Sequence, residues 1–115
     1  MATLDLKLYK EEELVINESN VEYQREDNTI LFELEGMQHR IDMQNKILER
    51  YNNEFHFTLD FEKNHCTYEL KSHQATFDII VDDAFYEHLL DHLELSYAIE
   101  TDDQKTKIEI DLKKE

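Results

Sequence analysis

Apolar and polar residues alternate with period two along most of this chain, the spacing of strands that bury one face and wet the other. Leu4-Asp5-Leu6-Lys7-Leu8 alternates strictly, and Leu14-Val15-Ile16 and Val21-Glu22-Tyr23 read as shorter strands. Ile30, Phe32 and Leu34 share a face opposite Thr29, Glu33 and Glu35, and His39-Arg40-Ile41-Asp42-Met43 alternates again after Gly36. The clearest strand sets Phe55, Phe57, Leu59 and Phe61 against His56, Thr58, Asp60 and Glu62. Lys63-Asn64 then predicts a hairpin into Cys66, Tyr68 and Leu70, and Ser72-His73-Gln74 a second one into Phe77, Ile79 and Val81. Leu93, Leu95, Tyr97 and Ile99 alternate with polar neighbours, and Asp102-Asp103-Gln104 turns the chain into Ile108, Ile110 and Leu112. Strands with one apolar face must bring those faces together, which a barrel or sandwich does.

Two segments depart from this period. Between Asp82 and Leu93 the apolar positions 85, 86, 89, 90 and 93 have helical spacing, and Asp82-Asp83 would suit a helix N-terminus. From Gln44 to Tyr51, Ile47, Leu48 and Tyr51 fit a helical turn although the surroundings argue for strands. The expectation is one all-β domain over residues 1–115: an antiparallel, meander-like barrel of about eight strands, with one short helical connection near residues 83–92.

Composition sharpens the picture. One glycine and no proline leave Asn and Asp to make the turns, at Asp27-Asn28, Asn52-Asn53, Lys63-Asn64 and Asp102-Asp103. With 28 acidic against 12 basic side chains the formal charge is −16. That charge disfavours nucleic acid and anionic membrane surfaces, and directs attention to cations, basic proteins or neutral ligands. A single cysteine, Cys66, excludes an intramolecular disulfide and fits a reducing compartment. No secretory signal or bilayer-length apolar run is present, so a cytoplasmic location is expected.

The segments Phe55-His56-Phe57-Thr58-Leu59-Asp60-Phe61, Thr67-Tyr68-Glu69-Leu70 and Ala75-Thr76-Phe77-Asp78-Ile79 are followed by Leu93-Glu94-Leu95-Ser96-Tyr97-Ala98-Ile99 and a last strand ending at Leu112. In this order they resemble the YwiB-like family of small bacterial proteins, which adopt a calycin-like (lipocalin-like) β-barrel. The resemblance implies that fold, a bacterial cytoplasmic setting and a cavity at a barrel mouth. It implies no reaction.

Candidate chemistry is sparse. In His88-Leu89-Leu90-Asp91-His92 two histidines four apart would lie on one helix face and could share a Zn²⁺ with a carboxylate. The plainer reading is a polar surface. His56, His65 and His73 fall on polar strand faces and could cluster as a metal site or a pH switch if register brings them together. Cys66 is in phase with Tyr68 and Leu70 and reads as a buried, inert thiol. Asp82-Asp83 and Asp102-Asp103 lack EF-hand spacing, and there is neither a nucleophile elbow nor a glycine-rich phosphate loop. Phe32, Phe55, Phe57, Phe61, Tyr68, Phe77 and Tyr97 read as inward-facing aromatics, and Phe32, Phe57, Tyr68, Phe77 and Tyr97 form the candidate ligand-binding set.

Three functions follow from these residues. The leading one is a non-enzymatic binding module holding a small apolar or amphipathic ligand, without a cofactor, as a monomer or homodimer. The second is an acidic interaction or regulatory module engaging a basic partner. The third is a metal-dependent enzyme using His88 and His92.

Overall fold

Period-two alternation becomes strand almost everywhere in the computed structural model, which describes residues 2–99 and 104–113. Eleven antiparallel strands form one sheet: β1 (Thr3–Lys10), β2 (Glu13–Glu26), β3 (Thr29–Leu34), β4 (Met37–Asp42), β5 (Ile47–Tyr51), β6 (Phe55–Asp60), β7 (His65–Leu70), β8 (Ala75–Ile79), β9 (Val81–Leu89), β10 (His92–Ile99) and β11 (Lys105–Lys113). Their order is β8-β7-β6-β5-β4-β3-β2-β1-β11-β10-β9. Every neighbour is therefore a sequence neighbour except β1 and β11, which join the two ends of the chain. The result is a nearly closed antiparallel barrel, with more strands than the eight or so expected.

Two stretches carry the wall around its corners. In the 14-residue β2, Glu13 to Glu22 pair with β1 and Tyr23 to Glu26 pair with β3. The segments Leu14-Val15-Ile16 and Val21-Glu22-Tyr23, read as separate strands from sequence, are thus one strand. It bends at a bulge where Asn20 takes φ 58° and donates its backbone N–H to Asp5 Oδ1 at 3.0 Å. On the other side, β8 runs into β9 through Ile80 alone, so one extended stretch leaves β7 and joins β10. β8 and β9 are the two end strands and do not pair with each other, which leaves a single seam.

The expected helix near residues 83–92 is strand β9, the β9–β10 turn and the start of β10. A bulge explains why its spacing looked helical. Ser96 pairs with Phe85 but Ala98 pairs with Asp82, so Asp83 and Ala84 together oppose one residue of β10, and Asp83 takes φ 53°. The extra residue shifts the inward phase from Val81 to Tyr86, which breaks period two in the sequence while the ladder to β10 continues. The ambiguous segment 44–51 is a turn followed by β5. Asp42 Oδ1 accepts the backbone N–H groups of Gln44 and Asn45 at 3.0 Å each, and Lys46 closes the turn at φ 58°. Asp60 repeats the device with Glu62 and Lys63, and Asn64 closes at φ 54°.

Turn chemistry otherwise follows the Asn and Asp expectation in part. Asp27 takes φ 52°, while Asn52 stays outside the left-handed region and accepts the N–H groups of Glu54 and Phe55 at 2.7 and 3.0 Å. The only glycine, Gly36, pairs with Glu35 in a two-residue hairpin where both have positive φ, the geometry that glycine favours. A 3-10 turn at Lys71–His73 joins β7 to β8. The turn expected at Asp102-Asp103 lies outside the described residues.

Candidate ligand site in the barrel interior

Register sorts the inner face of β2–β8 into rows. One row is entirely apolar: Ile30, Ile41, Leu48, Leu59 and Cys66 stand side by side, all buried, and end at Ile79. The adjacent row runs Tyr23, Phe32, His39, Arg50, Phe57, Tyr68 and Phe77, each opposite the next across a strand pair. It is aromatic at both ends and polar in the middle. From across the interior, β1, β10 and β11 face these rows with Leu4, Leu6, Leu8, Leu93, Leu95, Tyr97, Ile108, Ile110 and Leu112, all buried.

The polar centre of the row is held by rings. His39 stacks flat on Phe32, with centroids 4.9 Å apart and planes 1° from parallel. Arg50 lies over the Phe57 ring at 4.7 Å, a cation–π arrangement, and its Nη2 donates to Tyr97 Oη at 2.6 Å. Tyr97 itself packs on Phe57 at 5.8 Å, so β10 is tied to β5 and β6 through the interior. The Arg50 Nε–H is buried with no hydrogen-bond partner among the described residues. Leaving such a donor unmade costs about 1–3 kcal/mol. Burial, aided by the Arg50 charge, lowers the His39 pKa to about 4, so its ring is neutral at pH 7.

Space surrounds this pair. A cavity of about 110 Å³ lies between the two walls, lined by apolar side chains of β1, β3, β4, β5 and β11 together with Glu35, His39 and Arg50. A second, more open one of about 250 Å³ is lined by Met37, Arg50, Phe55, Phe57, Tyr68, Ile79 and Ile99. Arg50 and Met37 line both. Each is smaller than the ~300–1,000 Å³ that drug-sized ligands occupy.

Of the candidate ligand-binding set, Phe32 lines the smaller cavity, Phe57 and Tyr68 line the larger one, and Tyr97 reaches the site through Arg50. Phe77 is in the same row but sits on end strand β8 and is 52% exposed, so it is not an interior residue. The reason is positional: β8 lacks a pairing partner beyond it, and the wall that would cover Phe77 is missing there. Phe55 and Phe61 face inward as expected, Phe61 contacting Tyr86 of β9 at 5.7 Å.

The histidine readings fare differently. His88 pairs opposite Leu93 and His92 opposite Leu89, adjacent positions on the ladder that face opposite sides of the sheet. They cannot share a metal ion as two residues on a helix face would. His92 Nδ1 instead lies 2.6 Å from Asp111 Oδ1, and His88 Nε2 lies 2.9 Å from the Leu90 carbonyl. His56, His65 and His73 are not brought together either: they contact Glu49, Asp78 and Ser72 respectively. Among the described residues no group of three or more His, Cys, Asp or Glu side chains is arranged to hold a metal ion. Cys66 is fully buried, and burial pushes its thiol up to about 11, the opposite of an activated nucleophile.

Sequence reasoning missed His39 and Arg50 as site residues. The signal was there: His39 is in phase with the apolar Ile41 and Met43, and Arg50 with Leu48, so period two already turned both inward. Reading residues 44–51 as possibly helical concealed the Arg50 phase.

The fold and this interior define a small, nearly closed all-β barrel with one part-buried arginine set among aromatic rings. Comparison with family models, with curated proteins and with solved structures finds no match to this chain. No helix among the described residues is long and apolar enough to cross a membrane.

Proposed function

We propose that this protein is a non-enzymatic binding module, a calycin-like barrel of the YwiB-like kind working in a bacterial cytoplasm, that holds a small amphipathic molecule in its interior. The observation that carries this reading is a small interior cavity and a more open pocket that meet at Arg50. A barrel built only to be stable would fill this space with apolar side chains, because an enclosed cation contributes less to stability than well-packed hydrocarbon. The volumes restrict the ligand to a small one with an apolar body and a polar end. NMR titration of the methyl-labelled protein with 1-octanol tests this directly. Saturable shifts confined to Leu48, Ile79, Ile99 and their interior neighbours support it; shifts absent up to the solubility limit, or spread over exposed methyls such as those of Val15 and Leu90, overturn it.

A second reading has its own observation. Phe77, Ile80, Phe85 and Leu89 are exposed along the two end strands, beside an acidic surface. An interaction module would use that edge to pair with a strand of a basic partner. Sedimentation from low to high salt in the presence of a poly-lysine peptide separates the readings. Salt-sensitive complex formation that is lost on Phe85→Lys supports this use of the edge, and indifference to that substitution removes it.

A further inference from the structure

We infer that the interior site selects a small organic monoanion, a carboxylate on a short apolar chain, with Arg50 as its counter-ion. This rests on the binding-module reading above and specifies the ligand's charged end.

The inference starts from charge accounting inside the barrel. Arg50 is part-buried with its Nε–H shut off from water, and a guanidinium so placed is stabilised by a paired anion or by acceptors for its N–H groups. Arg50 has one described acceptor, Tyr97 Oη, and one aromatic face, that of Phe57. No described carboxylate forms an ion pair with it, although the chain carries 28. The contrast with Arg40 is direct. One residue pair away on the outer face of the same two strands, Arg40 Nη1 meets Glu49 Oε2 at 2.5 Å. Across this one strand pair the outward-facing arginine meets an acid and the inward-facing one does not. Glu35 lines the smaller cavity but makes no ion pair with Arg50.

The neighbours of Arg50 narrow the class further. His39, its cross-strand partner, adds a polar ring and no second positive charge at neutral pH. Arg50 is therefore the single positive charge at the site, and with the exposed Glu35 carboxylate also lining the smaller cavity a monoanion is accommodated better than a phosphate dianion. Guanidinium and carboxylate are also complementary in shape, planar groups that can form two parallel hydrogen bonds. Apolar side chains make up most of both linings: Phe55, Phe57, Tyr68, Ile79 and Ile99 on one side, Leu and Ile residues on the other. A short hydrocarbon tail suits that surface, and a long one exceeds the volume.

Octanoate and 1-octanol, matched in tail and differing in the charged end, provide the test. Each is titrated into the whole protein at pH 7.5 by isothermal calorimetry, with carboxyl-labelled octanoate followed by ¹³C NMR. The expected result is octanoate binding at least tenfold tighter than 1-octanol, with the bound carboxyl resonance titrating at lower pH than in free octanoate. Arg50→Met should abolish that preference while retaining 1-octanol binding. Tyr97→Phe, which keeps the cation, should retain the preference if Arg50→Met fails to fold. Equal affinity for both ligands in the natural protein overturns the anion assignment and leaves the cavity reading standing. Binding of neither overturns both. Tighter octanoate binding that survives Arg50→Met places the anion elsewhere and refutes the role given to Arg50.

Discussion

His39 gives the sharpest test of how this interior is built. Its ring is 8% exposed, stacked on Phe32 and opposite Arg50, and its pKa falls from 6.5 to about 4 because burial disfavours the protonated ring and the nearby Arg50 charge adds to that. In the unfolded chain the same imidazole titrates near 6.5. Folding therefore excludes a proton wherever the pH lies between those values. The His39 contribution to stability is fully present above pH 6.5 and is lost as pH falls toward 4. One pKa unit corresponds to ~1.36 kcal/mol, so the full loss is about 3 kcal/mol, of which about 2 kcal/mol is gone by pH 5. Other groups titrate too: Asp5 and Asp42 have lowered pKa values and add acid sensitivity at still lower pH, while protonating surface acids relieves self-repulsion. Comparison with His39→Phe cancels that background and keeps a ring against Phe32. Urea unfolding of both proteins at pH 7.5, 6.5, 5.5 and 5.0 should show the natural protein losing about 2 kcal/mol relative to the variant over this range. A difference constant to within ~0.5 kcal/mol, or an NMR titration of the His39 ring centred near 6.5, refutes the enclosed arginine–histidine pair.

Two further outcomes probe the same architecture. Cys66, fully buried with its thiol pushed up to about 11, should resist 5,5′-dithiobis(2-nitrobenzoate) at pH 8 in the native state and react stoichiometrically in urea; prompt native reaction would show that β7 does not turn it inward. Leu95→Ala should lower the urea-unfolding free energy by about 2–5 kcal/mol, since Leu95 is fully buried between the walls, and a loss below ~1 kcal/mol would mean that β10 does not face the core.

Period two was enough to read the barrel, because nearly every strand has one buried apolar face. Leu4, Leu6 and Leu8, or Phe57, Leu59 and Phe61, gave their burial away in this manner. What period two could not convey was a bulge. At Asp83-Ala84 one inserted residue moves the inward phase by one position, and the apolar residues on either side then fall at helical intervals. The proposed His88–His92 site vanished with the helix, for it depended on four residues spanning one turn instead of a strand reversal. Strand number was undercounted for a related reason: β8 and β9 are separated by Ile80 alone, and no turn signal marks the junction. Phe77 misled because alternation reports which side of a strand a residue takes, and not whether another wall covers it.

The site was half legible for an instructive reason. Aromatic residues announce an interior, so the inward placement of Phe32, Phe57, Tyr68 and Tyr97 was legible; Arg50 and His39 look like surface residues in any scale of hydropathy. Only register reveals that they complete the aromatic row. Register also gives the isolation of Arg50 its meaning. Lys107 meets Glu109, Lys113 meets Asp5 and Arg40 meets Glu49, as expected of cations on a chain of net charge −16. The barrel wall separates Arg50 from that supply of acids and replaces them with Phe57 and Tyr97. On the proposal above, the acidic exterior would repel polyanions, most strongly at low salt, whereas the part-buried guanidinium would be less screened and would favour one negative charge carried on a hydrocarbon tail. The same two features that make the interior costly to fold are therefore the ones that would make it selective.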